Sequence, residues 1–314
     1  MSLTTEQSAR RVSGVGASEC AAVLGVSRYA TPLDIYAKKV NPQNYYSQEA
    51  DHLRWGHLLE PVILDAYEST QGVRLSRSPD TVICQDHHYM FAHLDAQVVG
   101  PFNHPLVGRV VEAKSSGVYA PKEWGPSGTD NVPMEYLIQV HHQMICMGQG
   151  VGSVGDIAVL IGGNDFRIYS IPFDKALATQ IVGGVSKFWS SVLARNPPKP
   201  QTVDDLNKLF IVSNGKEIKA TPEIGLTVRD WKGNVAIRNQ LDETIEKQEF
   251  TIKEFMQDND ALVVDGRVVA TWKQYDGALR FDQKAFSLEH PEMYRQYSKQ
   301  GRPVRRFVSS KEKK

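Results

Sequence analysis

Apolar residues recur three and four positions apart at Leu58, Leu59, Val62, Ile63, Ala66 and Tyr67, which predicts a helix over residues 53–72 with Glu60 beside the stripe. Before it, Gly14-Val15-Gly16-Ala17-Ser18 leads into a short apolar stretch ending at Gly25, the pattern of a turn, a helix started by Ser18 and a glycine stop. Thr31-Pro32-Leu33-Asp34 opens a second helix, with Thr31 as cap and Pro32 at the first helical position. From residue 81 the period shortens. Residues 81–85, 94–99 and 109–114 are β-rich runs separated by Gly100, Pro101, Asn103, Pro105 and Gly108, and a meander of three strands is expected. A helix over 134–147 places Leu137, Ile138, Met144 and Ile145 on one face and Glu135, Gln139, His142 and Gln143 on another.

Residues 156–161 and 166–171 flank Gly162-Gly163-Asn164-Asp165, a hairpin signal, and an amphipathic helix carrying Leu177, Ile181, Val185, Phe188, Trp189 and Val192 follows. Asn196-Pro197-Pro198-Lys199-Pro200 cannot continue that helix, so a domain boundary is expected there: 1–196 as the main unit, 197–205 as linker, 206–314 as an extension. In the extension, 223–258 reads as a long polar helix or helix pair. Residues 261–275 read as two strands turning at Asp265-Gly266, and a final helix is expected over 283–298.

Composition narrows the class. With 41% hydrophobic and 23% charged residues the chain is globular, not disordered. No apolar run spans a bilayer and residues 1–11 carry no secretory segment, so a soluble, cytoplasmic protein is expected. The three cysteines lack paired zinc-type spacing and are expected as buried thiols. Thirty-six basic residues balance 36 acidic ones, so any nucleic-acid binding must be local. The last residues are basic, from Arg302 through Arg305, Arg306, Lys311 and Lys313 to Lys314, and read as a solvated tail.

The chemistry sits in Arg109-Val110-Val111-Glu112-Ala113-Lys114, where a carboxylate and an amine two residues apart share one face of a strand. Desolvating both costs several kcal/mol unless they pair or bind something. Asp95, 17 residues earlier on the preceding expected strand, is placed to meet Glu112. With Glu60 from the helix and the Ala113 carbonyl, they form an oxygen-rich set suited to Mg²⁺ or Mn²⁺. Such a cation would polarise a phosphoryl oxygen and acidify water, while Lys114 orients that water or stabilises developing charge.

Taken in order, Arg11 with Gly14-Val15-Gly16-Ala17-Ser18-Glu19, Trp55-Gly56-His57-Leu58-Leu59-Glu60, Leu94-Asp95-Ala96, Val111-Glu112-Ala113-Lys114, Leu137-Ile138-Gln139-Val140 and Ala158-Val159-Leu160-Ile161-Gly162-Gly163 resemble the phage lambda exonuclease and YqaJ-type alkaline exonucleases of the PD-(D/E)xK superfamily. The resemblance covers most of residues 10–195. It implies a restriction-endonuclease-like α/β core with a mixed central sheet flanked by helices, followed by a helical and hairpin extension. Asp95 and Glu112 would hold the metal, two Mg²⁺ ions with Mn²⁺ as substitute, assisted by the Ala113 carbonyl. Lys114 would be the catalytic lysine, Glu60 and Gln139 would support metal and water, and Arg11 and Ser18 would grip the 5′-terminal phosphate. The implied activity is 5′→3′ exonuclease action on double-stranded DNA, giving 5′-mononucleotides and 3′ overhangs, by a ring-shaped homotrimer partnered by a single-strand annealing protein. One departure stands out: the family's Pro-Asp-Gly is Leu94-Asp95-Ala96 here. A further acidic position is matched by Asp86 only one residue out of register.

Rival readings use the same residues. His141-His142 read as surface or site-edge histidines, since adjacent helical residues diverge. His87-His88 and His93 lack zinc-site spacing, and Gly162-Gly163-Asn164 lacks the Gly-Lys-Ser/Thr ending of a phosphate loop. Ser18 as a bare cap and Arg11 as a solvated cation are the structural alternative to phosphate capture. A sequence-specific endonuclease and a catalytically silent DNA-end or protein-binding module are the competing functions on the same fold.

Overall fold

The computed structural model describes residues 10–42, 51–77, 80–117, 123–299, 301 and 304–309, with 51–53 as backbone only. It divides into two compact units, Met1–Leu206 and Asn207–Lys314. The first is a mixed α/β unit. Its main sheet runs β2 (Arg74–Arg77), β5 (Ala96–Gly100), β6 (Val110–Ser116), β7 (Val154–Ile161) and β8 (Asp165–Pro172) in spatial order, antiparallel except for the central parallel pair β6–β7. A smaller sheet joins β1 (Val15–Gly16), β4 (Met90–Ala92) and β3 (Val82–Ile83).

The expected meander therefore does not form. The run over 81–85 contributes β3, which pairs with β4 in the small sheet, while β5 and β6 lie between β2 and β7 in the large one. The 94–99 run also starts later than expected: Asp95 lies in a bend and the strand begins at Ala96.

Helices cover both faces of the main sheet. Ile63, Leu64 and Tyr67 of α3 (Asp51–Gln71) close a core with Ala96, Val98, Val111 and Ala158. The opposite face receives α4 (Met134–Cys146), the crossover that a parallel β6–β7 connection requires. Its close approach depends on Gly155, where an added Cβ would lie 2.5 Å from Val140 Cγ1 and 2.9 Å from Val110 Cγ2. Behind α4 lies α5 (Lys175–Leu193), whose buried stripe is Ala178, Ile181, Val185, Phe188 and Val192. At its start the Asp174 carboxylate accepts the backbone N–H groups of Ala176 and Leu177.

The short helix α1 (Ala17–Val23) is capped by Gly16, not started by Ser18. Glu19 occupies the cap-facing position, its Oε2 accepting the Gly16 N–H at 3.1 Å, so Ser18 is left exposed within the first turn. The helix α2 (Pro32–Val40) has the Thr31 cap and Pro32 start that its sequence predicts. All three cysteines are free and buried.

The polyproline segment does not end the first unit. Asp205, fully buried, accepts the Thr31 hydroxyl at 2.7 Å and the Gln201 N–H at 2.8 Å, which ties the start of α6 (Val203–Leu209) to the N-cap of α2. The second unit contains one unbroken helix, α7 (Pro222–Met256), and the hairpin β9 (Ala261–Val264) and β10 (Arg267–Thr271). The final expected helix is two, α8 (Gln283–Glu289) and α9 (Pro291–Tyr297), because Pro291 has no N–H to continue the first and starts the second. Of the basic tail, Arg305 and Arg306 are described and exposed; Arg302, Lys311, Lys313 and Lys314 lie outside the described residues. Among the described residues no helix is long and apolar enough to cross a membrane.

Candidate active site

The site forms where two strands part. β5 and β6 are in register at Gln97↔Val110 and Ala96↔Val111, and continuing that ladder would bring the Ala113 N–H to the Leu94 carbonyl. Instead the Asp95 carboxylate takes the Ala113 N–H at 2.9 Å. The strand fork opens at that point, and the Asp95 side chain stands opposite Glu112. In a strand the N–H and C=O of one residue point to the same edge, so the Ala113 carbonyl also faces this fork.

Glu112 is 2% exposed and is gripped from three directions. Its Oε1 accepts from Lys114 Nζ and, at 2.5 Å, from Gln139 Nε2; its Oε2 accepts from Gln143 Nε2 at 2.5 Å. Those contacts use three of the roughly four acceptor positions of a carboxylate. Lys114 also lies 5.3 Å from the ring centroid of Tyr136, which is stacked on Trp124 at 5.4 Å.

Charge is concentrated in this buried space. Burial pushes the Asp95 carboxyl well above the usual carboxylate range, and the negative charges of Glu112 and Glu60 push it further, against the opposing pull of Lys114 and the Ala113 N–H. For Lys114, desolvation favours the neutral amine, but Glu112 and Asp95 together overcome it and hold the ammonium form. Two hard carboxylates, an inward-facing carbonyl and a repulsion that Lys114 only partly offsets fit a small divalent cation.

Of the residues predicted from sequence, the structure brings Asp95, Glu112, Lys114 and Gln139 together around the fork. Glu60 is a half-buried neighbour that acts on Asp95 through its charge; His57 Nδ1 lies 3.9 Å from its Oε2. Among the described residues no group of three or more histidines, cysteines or acids converges closely enough to hold an ion, so Glu60 does not complete a ready-made three-carboxylate cage. It precedes Pro61, a helix-interior proline that leaves the carbonyl four residues back without its usual donor.

Arg11 and Ser18 are both exposed. The Arg11 charge reaches His93, two residues before Asp95, and helps to keep that imidazole's pKa below its usual value, after desolvation. Its backbone is anchored by Lys39, a nearly buried lysine whose Nζ donates to the Arg11 carbonyl and to Glu19 Oε2, both at 2.5 Å. Sequence reasoning missed Lys39, whose position in the last turn of α2 resembles any solvated helix-end cation.

It also misplaced the histidines. His141 and His142 are buried at 1% and 0% exposure, not on the surface. His141 donates through Nδ1 to the Leu137 carbonyl at 2.8 Å and accepts the Asp174 N–H at Nε2, which fixes a neutral ring; His142 donates to the Phe91 carbonyl at 3.1 Å. α4 is sandwiched between sheet and α5, so its polar side is interior as well. Gln143 was read only as part of a polar face. Its spacing one helical turn beyond Gln139 was the available signal.

A central mixed sheet flanked by helices, with an acid before one strand facing a Glu-x-Lys on the next, is the arrangement expected from the resemblance to PD-(D/E)xK proteins. Residues 7–150 match the family described as YqaJ-like viral recombinase domain. Along most of its length the chain is also similar to YqaJ of Bacillus subtilis (strain 168), a protein described as uncharacterized, with 25% identity over 299 residues covering 92% of this chain and 89% of the relative. Similar solved structures include an alkaline exonuclease, LHK-Exo, from Laribacter hongkongensis, at 20% identity and TM-score 0.47, covering 62% of this chain and 94% of that one. The same enzyme in complex with dAMP gives 19% and 0.48, covering 66% and 97%. A phage related exonuclease from Haemophilus somnus 129PT gives 12% and 0.41, covering 58% and 96%.

Proposed function

We propose that this chain is a magnesium-dependent deoxyribonuclease that degrades double-stranded DNA from its ends in the 5′→3′ direction. The observation that carries the reading is the strand fork, where Asp95 and Glu112 face each other with Lys114 held between carboxylate and aromatic ring. Asp95, Glu112 and the Ala113 carbonyl would hold the metal, two ions in all, with Glu60 contributing directly or through water. Bound there, Mg²⁺ would supply Lewis-acid polarisation of a phosphoryl oxygen and a lowered pKa for water.

The chain's own residues do the rest. Gln139 and Gln143 fix the Glu112 carboxylate. Lys114, kept protonated by its acidic neighbours, offers a positive charge to the attacking water and to the oxygens of the phosphorane-like transition state. Water adds to phosphorus as the bond to the leaving 3′ oxygen breaks, which frees a 5′-mononucleotide and leaves a 3′ overhang on the other strand. Arg11 and Ser18 take the 5′-terminal phosphate, and Lys39 keeps the Arg11 backbone in place. A homotrimeric ring around the duplex and a single-strand annealing partner on the exposed 3′ strand complete this reading.

Linear duplex with 5′-phosphorylated or 5′-hydroxyl ends, compared with closed circular duplex, tests it. With Mg²⁺, phosphorylated ends should be consumed, hydroxyl ends consumed more slowly and closed circles spared. Lys114→Ala should lose turnover while retaining DNA binding, and Arg11→Ala should remove the preference for a 5′ phosphate. Wild-type activity in Lys114→Ala, or digestion of closed circles, overturns the assignment.

A further inference from the structure

The described residues of the second unit form almost no core. Among its described residues Met256 alone is buried, yet it presents a helix of 35 residues, about 50 Å long, with Ile224, Val228, Leu241, Ile245, Ile252 and Phe255 all 40% or more exposed. Ile224 and Val228 lie four apart, and Leu241, Ile245, Ile252 and Phe255 follow one another at intervals of four, seven and three; between the two groups the half-buried Trp231 and Val235 continue the apolar seam until Arg238 interrupts it. Among the described residues of this unit no helix or strand packs extensively along it, and the Phe307 ring lies 5.0 Å from that of Trp231. A polar helix with one apolar stripe is stable when that stripe is covered.

Charge identifies what covers it. The first half of α7, through Arg238, carries Arg229, Lys232 and Arg238 against Glu223 and Asp230. The second half carries Asp242, Glu243, Glu246, Glu249 and Glu254 against Lys247 and Lys253. A second α7 laid antiparallel brings each basic half beside an acidic half and opposes the helix dipoles. A parallel pair or a parallel threefold bundle gathers the acidic halves together.

We infer that α7 is a self-association element, pairing antiparallel along its apolar seam with α7 of a second copy of this chain. The contact is isologous, so it joins copies in even numbers: two single chains, or two rings of three. It stands independently of the nuclease reading, because no residue of the strand fork takes part.

Light scattering with size-exclusion chromatography on the full-length protein reads the outcome directly. Wild type should have the mass of two or six chains, and Leu241→Glu with Ile245→Glu should halve it while nuclease-core melting is unchanged. Because that variant also changes the helix surface, charge reversal gives a second measurement. Lys232→Glu with Arg229→Glu, or Glu246→Lys with Glu249→Lys, should each weaken association about tenfold, and all four together should restore it. A monomeric or trimeric wild type, a mass unaltered by the apolar substitutions, or absence of rescue by the combined reversal overturns the antiparallel pair.

Discussion

Replacing Gln143 by Leu separates positioning of Glu112 from stability of the fold. The Gln143 side chain is fully buried; its Nε2 donates to Glu112 Oε2 at 2.5 Å, while its Oε1 is buried without a hydrogen-bond partner among the described residues. Losing a hydrogen bond to a charged group costs about 1.5–3 kcal/mol, and removing an unsatisfied buried carbonyl returns about 1–3 kcal/mol. The two nearly cancel, so unfolding free energy should change by about 1 kcal/mol or less, a shift of about 2–4 °C in Tm for a unit of this size. Glu112, however, loses the donor that fixes one of its two oxygens. Loss of a group that orients a metal-binding carboxylate typically costs about 10–100-fold in metal affinity or activity. Calorimetric Mg²⁺ titration, exonuclease assays across Mg²⁺ concentrations and differential scanning calorimetry would measure the three quantities. A Tm loss above about 10 °C, or unchanged Mg²⁺ dependence at full activity, would refute this account of Gln143.

Asp95→Asn should abolish activity yet raise Tm in chelator. Because its folded-state carboxyl titrates above its unfolded value, the native form holds the proton more tightly, so metal-free wild-type stability should fall as pH rises from the ordinary carboxylate range through the raised value. A flat Tm–pH profile that Asp95→Asn leaves unaltered would contradict this. His142 works in the opposite sense: burial lowers its pKa from 6.5 to about 4, against the pull of its bond to Phe91. The stability it contributes is full above the unfolded value and lost as pH falls through the folded one, roughly 3 kcal/mol in all. Urea unfolding at several pH values, with His142→Gln for comparison, should show the variant losing part of that slope. Gly155→Ala drives a Cβ into Val140 and Val110, and should cost about 1–3 kcal/mol while weakening activity through displacement of Gln139 and Gln143 with α4.

Legibility followed how local each determinant is. Alternation along one strand exposed Glu112 and Lys114, and apolar periodicity exposed α3 and α5, because those signals need only neighbours in sequence. The strands β2 and β4 escaped notice for opposite reasons. Arg74-Leu75-Ser76-Arg77 is polar enough to pass for a loop, while Met90-Phe91-Ala92 is buried on every residue and has no alternation to detect. That the expected linker over 197–205 packs on the first unit was not legible, because the contact that ties it there, Asp205 to Thr31, spans 174 residues.

The largest misreading was polarity taken as exposure in α4, and its physical cause bears on the site. Gln139, His141, His142 and Gln143 are interior because each finds a partner there: the glutamines at Glu112, the histidines at Leu137, Asp174 and Phe91. Burying four such groups together is costly unless their geometry is satisfied, and an apolar helix would pack between sheet and α5 more simply. The two glutamines make sense only in relation to the buried carboxylate they hold, whose own cost is offset by what the fork can bind. Where a helix breaks the hydrophobic pattern of its setting without reaching solvent, the break points to the chemistry, and here it points to Glu112.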